Sequence, residues 1–408
     1  MDILSAARPT SVFRSSAFTR FYAGQTLSYL GDGLRTIAIP LLVFRLTGSA
    51  VAVGLTWGLE LLPYAVVSLL AGSLADRVDR RRLMIVCDAL RFAVMAGFCV
   101  AFVTGRLTVG LIYAGVFVLA VGGSIFLGAQ SSSIPYLLGK GRAKAAVAAL
   151  TATEQTVNLI APPLGGTLLG IVGPLPLLVT NALTYLTSQI ALASVRSFGP
   201  DTPPGLPTLR EIATDVGAGW RFLRGDPSLL RLSLFSAFAN TIGTVGFVAL
   251  IPYFKRAFTA GDHVVGIAFG CFSAGAALGA YLAGRTHWPV GIALVVAYLV
   301  DGVGWLPLPF THSLPVAVGG IACSSVCAGY AITCLVSWRM RIIPTDLIGR
   351  VFGVARFLVL GGILPGSLLG GWLADHLGVR PTMAISAYGF LVLAAILACS
   401  RTVRTERR

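Results

Sequence analysis

Five ionisable residues sit where such residues are costly. Asp32, Arg35 and Glu60 fall near the middle of long apolar runs, and Glu154 and Arg356 fall at similar depths further along the chain. A charge at the centre of a membrane-spanning helix costs about 2.5 kcal/mol or more, so such groups face one another or a water-filled path. Carboxylates in that setting serve proton exchange. Asp32 and Arg35 are one helical turn apart, so a structural ion pair is the plain alternative for Asp32. Glu60 has no cation on its own helix, which makes it the stronger candidate for carrying a proton. Glu154 and Arg356 would bind substrate, or form an inter-helix pair that breaks during switching.

Other candidates are weaker. Asp88 and Arg91, three apart, read as a satisfied pair near one end of their helix, and Asp301 has no local partner. Polar and aromatic groups on apolar helices add Tyr22, Gln25, Tyr29, Trp57, Gln130, Gln155, Asn158 and Asn240 as soft substrate contacts, a lining suited to a bulky amphipathic molecule. His263, His287, His312 and His376 all fall at helix ends or in connectors, which argues against a buried histidine relay. The seven cysteines lie within apolar stretches with no metal-ligand spacing, so neither metal nor cofactor is expected. There is no Gly-x-x-x-x-Gly-Lys-Ser/Thr and no room for a soluble ATP-binding domain, so a self-contained primary pump is excluded. A membrane-embedded enzyme would need a converging nucleophile, metal set or dyad, and none is found.

The elements that hold these residues follow from composition. Charged residues are 12% of 408, about half the soluble norm. Apolar runs of spanning length predict twelve transmembrane helices at 18–44, 51–75, 83–104, 108–137, 146–172, 174–195, 229–254, 263–284, 288–310, 313–338, 347–373 and 379–400. The net charge of +15 would suit nucleic acid, but the basic residues recur between apolar runs rather than on one face. Of 31 Lys and Arg, only Arg45, Arg106, Lys255, Arg256 and Arg380 fall on odd-numbered connectors, and three lie within helices. The remainder sit at the termini and on even-numbered connectors, so both termini are expected in the cytoplasm. Met1 to Arg20 lacks the apolar core of a cleavable signal, so the first helix should itself direct insertion. The scarcity of lysine hints at GC-rich coding and hence a bacterial plasma (inner) membrane.

The chain divides at its midpoint. A proline-rich connector with an amphipathic stretch from Thr208 to Arg224 spans 197–226, between six-helix halves at 1–196 and 227–408. Gly31, Pro40, Gly54, Gly58 and Gly72 each find the same residue 212 positions on, and Gly166-Thr-Leu-Leu-Gly170 returns as Gly366-Ser-Leu-Leu-Gly370. Asp32, Arg35 and Glu60 do not repeat.

Between the second and third spans lies Gly72-Ser-Leu-Ala-Asp76-Arg-Val-Asp79-Arg80-Arg81-Arg82. This hairpin resembles the Gly-x-x-x-Asp-Arg-x-Gly-Arg-Arg/Lys loop of the major facilitator superfamily of transporters, with Asp79 in place of a glycine. Ala161-Pro162-Pro163-Leu164-Gly165-Gly166 is similar to the antiporter motif of that superfamily, with Val157 and Ala161 replacing two of its glycines. Phe21-x-x-Gly24-Gln25-x-x-Ser28-x-x-Gly31-Asp32-Gly33 and Leu41 to Ser49 resemble its macrolide, siderophore and multidrug exporter branch.

The resemblance implies an all-α fold of two pseudo-symmetric six-helix halves that rock about a midplane site. It also implies export of a drug-like or natural-product molecule by proton exchange, from a protein expected to be monomeric. Gly72, Asp76, Arg77 and Arg80 would latch the halves, with Asp76 meeting the start of the eleventh span near Arg350, and Arg356 deeper in that span. The third, sixth, ninth and twelfth spans, and Asp301 with them, would lie outside the cavity. An importer or lipid transporter of the same fold is the alternative.

Overall fold

The computed structural model describes residues 12–74, 79–195, 208–286, 288–344 and 347–400, all helical or in turns with no strand among them. Eleven helical segments are long and apolar enough to cross a membrane, and the shorter apolar helix Val290–Trp305 completes the twelve expected.

The first six are α1 (Ser16–Thr47), α2 (Ala50–Leu74), α3 (Arg80–Val103), α4 (Val109–Leu138), α5 (Lys140–Val172) and α6 (Pro174–Ala193). Their ends follow local chemistry. Ser15 caps α1 by accepting from the Phe18 N–H, and Gly48 ends it in the left-handed conformation at φ 61°. The tight turn into α2 thus needs glycine. Asp79, which departs from the glycine of the motif, caps α3 by accepting from the Arg81 and Arg82 N–H groups. Arg81 in turn donates to the Leu192 and Ala193 carbonyls, 3.0 and 2.7 Å away, where α6 ends and its dipole favours a cation.

Amphipathic α7 (Leu209–Gly225) opens with a Thr208/Glu211 capping box and fills the midpoint connector. Beyond it come α8 (Pro227–Ala257), α9 (Asp262–Ala283), α10 (Val290–Trp305), α11 (Leu314–Ile342), α12 (Ile348–Gly361), α13 (Ile363–His376) and α14 (Val379–Cys399). The eleventh span is therefore broken in two at Gly361–Gly362, where a side chain on Gly362 would strike Thr241 of α8.

Within the first half α1 packs on α5 and α6, and α3 on α4 and α6; within the second, α11 packs on α9 and α10, and α14 on α8 and α10. The halves meet chiefly where α5 crosses α9 and where α2 runs along α12 and α13, with smaller contacts of α1 and α2 on α8. A Cβ on Gly166 would lie 2.7 Å from the Gly266 Cα, so these backbones touch. Small residues permit that approach where no hydrophobic effect drives association. The repeated positions serve both crossings: Gly266 and Gly270 meet Gly166 and Pro163, while Gly54 and Gly58 meet Ser367 and Leu364.

Candidate functional site

The buried charges of the first half form one chain of contacts across three helices. Arg91 Nη2 reaches Asp32 Oδ2 at 2.5 Å, and its Nη1 reaches Asp88 Oδ1 at 3.1 Å. Arg35 Nη2 donates to Glu60 Oε1 at 2.7 Å and its Nε lies 3.8 Å from Asp32 Oδ1. Tyr185 of α6 donates its hydroxyl to Asp32 Oδ1, and its ring lies 4.0 Å beneath the Arg91 guanidinium. Three carboxylates therefore share two guanidiniums.

Two sequence expectations change here. Glu60 is not the free carboxylate it resembled, because Arg35 meets it from the neighbouring helix. Asp88 and Arg91 are not a closed local pair near a helix end, since Arg91 lies mid-helix and also binds Asp32. Neither partner could be read from spacing along a single helix.

A second polar seam runs beside the network. Gln25 Nε2 donates to Ser188 Oγ at 2.9 Å, and Gln130 Nε2 donates to the Tyr29 hydroxyl at 2.8 Å and to Gln25 Oε1 at 3.3 Å. The Tyr22 hydroxyl pairs with Thr153 Oγ1. These contacts spend the hydrogen-bonding groups of four suggested substrate contacts inside the first half. Gln155 and Asn158 lie on α5 with exposed side chains.

A cavity of about 660 Å³ opens instead against the second half. Among the described residues, Trp57 and Leu61 alone reach it from the first half; the other lining residues come from α8 to α14, Asn240 among them. Aromatic rings stand along an otherwise mostly aliphatic wall: Trp57 meets Phe247 edge-on at 5.1 Å, and Phe272, Tyr298, Trp305 and Phe390 line it too. Arg339 and Arg356 line it as well, and so does Asp301. That placement overturns the expectation that Asp301 lies outside the cavity. Asp301 and Trp305 stand one turn apart at the end of α10, which packs on α11 and α14, and Ser324 of α11 donates to Asp301 on that side. Glu154 and Arg356 form no ion pair within 4 Å among the described residues.

At the Gly48 end of the bundle the halves are tied together. Asp262, first residue of α9, pairs with both Arg45 of α1 and Lys255 of α8. Asp375 of α13 accepts from Ser49 Oγ at 2.7 Å and from the Ala50 and Val51 N–H groups at 2.9 and 3.0 Å. It thereby caps α2 from the opposite half. Arg256 bridges Asp375 and the Gly48 carbonyl, each at 2.6 Å. Sequence reading named Arg45, Lys255 and Arg256 only as the minority of cations on the wrong connectors; their carboxylate partners lie in the other segment or a later helix. Asp375→Ala is expected to lower the melting temperature of the detergent-purified protein by the loss of a cap, about 1–2 kcal/mol. Asp375→Asn, which still accepts, should lose less.

The latch residues fare differently. Arg80 is buried with its guanidinium 4.6 Å over the Tyr136 ring of α4. Asp76 and Arg77 lie outside the described residues, as do the surroundings of Gly72. Arg350 pairs with Asp215 of α7 at 2.8 Å, so the start of α12 is held by the midpoint helix. Gly219 lets α7 rest on the Arg350 backbone. In the α5 motif, Gly165 faces Leu34 and Ile37 of α1 while Pro162, Pro163 and Gly166 face α9, so the motif is sandwiched between the halves.

Comparison with known proteins covers the same ground. A family model described as "Transmembrane secretion effector" matches residues 7–407. The multidrug efflux pump Tap of Mycobacterium tuberculosis is 26% identical over 96% of this chain and 93% of its own length. The enterobactin exporter EntS of Salmonella typhimurium is 24% identical over 93% and 91%. Among solved structures, a bacterial homologue of the lysosomal transporter Spinster, inward-facing and unoccupied, matches with a TM-score of 0.72 at 16% identity, covering 98% of this chain and 99% of its own. A bacterial homologue of the iron transporter ferroportin, also inward-facing, matches with a TM-score of 0.73 at 15% identity, covering 98% and 100%.

Proposed function

The chain belongs to the transmembrane secretion effector family of the major facilitator superfamily, multi-pass membrane transporters and not enzymes, and from that premise we propose that it exports an amphipathic small molecule in exchange for protons. The exporters Tap and EntS, similar along nearly the whole chain, support the outward direction. The arginine distribution supports a cytoplasmic Arg80 end in a bacterial plasma membrane. With the Gly48 end tied shut, the cavity beside Arg339 and Arg356 is then the loading chamber of an inward-facing state.

One observation carries the coupling. Among the described residues, Arg35 and Arg91 are the only cations that pair with Asp32, Asp88 and Glu60, so charges balance with one proton aboard and fail to balance without it. Release of that proton to the cytoplasm and its return from outside would accompany the swing of the halves. Export then runs down the proton gradient.

In proteoliposomes with an imposed pH gradient, Glu60→Gln and Asp32→Asn are expected to lose most proton-driven transport while inserting at normal levels. Each neutral replacement still accepts a hydrogen bond from its guanidinium but no longer releases a proton. Unaltered pH dependence in both variants would sink the proposal. The cargo itself is best found by testing a panel of toxic compounds on pump-deficient cells with and without the protein.

A further inference from the structure

Asp301 is the one carboxylate among the described residues lining the large cavity, and it has no cation within 4 Å among those residues. It is only 4% exposed. Two donors fix its orientation: the Trp305 indole N–H at 3.1 Å and the Ser324 hydroxyl, both to Oδ1. No donor to Oδ2 is found among the described residues. Among the described residues no cation balances it. A buried charge without a partner is costly to keep.

The surroundings complete a recognition site. Trp305, bonded to Asp301, and the neighbouring rings of Tyr298 and Phe390, 6.4 Å apart, all line the cavity, and aromatic faces attract cations, most strongly where water is excluded. Neither of the cavity's two arginines, Arg339 and Arg356, pairs with Asp301 within 4 Å. Ser324, which touches Asp301, and Arg339 are both on α11 and fifteen residues apart, about 22 Å along a helix.

From this geometry we propose that Asp301 and its aromatic neighbours form a cation subsite that takes the positively charged end of an amphipathic cargo. The inference rests on the reading of the cavity as the cargo chamber, but not on proton exchange. The cargo lies with its cationic group deep in the membrane against Asp301 and its remaining polar groups toward Arg339 and Arg356. Cargo of this class has a lipophilic body and an ammonium or delocalised cation at one end.

Tetraphenylphosphonium and tetraphenylborate have the same shape and opposite charge, so they isolate the electrostatic part. Equilibrium binding of each to the full-length purified protein, with no gradient present, tests the subsite separately from transport. The wild-type protein is expected to bind the phosphonium about tenfold or more tightly than the borate. Equal affinity, or preference for the borate, overturns the proposal without any variant being made. Asp301→Asn, which preserves shape and can still accept from Ser324 and Trp305, should bring the phosphonium down to the affinity of the borate, while Asp301→Glu retains a preference for the cation. Phosphonium binding unchanged in Asp301→Asn also overturns it. If the cation binds as expected but no proton-driven flux is seen, the coupling reading fails and the subsite stands.

Discussion

Replacing Arg91 by leucine is expected to abolish transport and to lower stability by about 3–5 kcal/mol, the cost of breaking a buried ion pair from one side. Arg91 is 6% exposed and is the partner of both Asp32 and Asp88, while its flat guanidinium also covers the Tyr185 ring. Leucine removes the charge and leaves three carboxylates facing the single guanidinium of Arg35. Lysine restores the charge but not the fork that reaches two carboxylates at once, so Arg91→Lys should recover part of the stability and little of the transport. Thermal unfolding of the detergent-purified protein and flux in proteoliposomes measure the two effects separately. Adding Asp88→Asn to Arg91→Leu should return part of the lost stability, since one stranded charge disappears. A double variant no more stable than the single one would show that Asp88 is outside the network.

The second large effect is steric. Gly166→Val is expected to hold the halves apart at the Gly48 end and to stop the transport cycle. A Cβ at Gly166 would fall 2.6 Å from the Asp262 carbonyl oxygen and 2.7 Å from the Gly266 Cα, and neither backbone can yield as a flexible side chain would. Overpacking a tight crossing costs about 1–3 kcal/mol. That cost falls only on the closed arrangement, so the variant should fold normally and shift its population toward opening at that end. The Arg45–Asp262 pair and the Asp375 cap of α2 would part with it. Spin labels on exposed Leu46 and Leu377, in opposite halves at this end, should report a longer mean distance than in the parent protein. An unchanged distance distribution with intact transport would sink the idea that this crossing closes the gate.

Much of this was legible beforehand. The twelve spans follow from length and apolarity, because a bilayer fixes how many residues a helix needs to cross it. The hairpin and the α5 motif pointed to the superfamily, and the 212-residue repeat marked the glycines that make the α2–α13 and α5–α9 crossings. Arg45, Lys255 and Arg256 were visible only as exceptions to a charge rule; Asp262 and Asp375 explain them.

What the sequence by itself determined, then, is the set of helices, the superfamily and the presence of charges within the membrane. Those are local or periodic properties, written within a single segment. Only the tertiary structure decided which charges meet. Arg35 finds Glu60 twenty-five residues away, and Arg91 finds Asp32 fifty-nine residues away. Glu60, unpaired along its own helix, is paired in space, whereas Asp301, unpaired along its own helix, has no cation partner among the described residues and lines the cavity. The difference comes from helix rotation and crossing, which bring side chains together by backbone contacts at glycines and leave no mark in the spacing of the charges themselves.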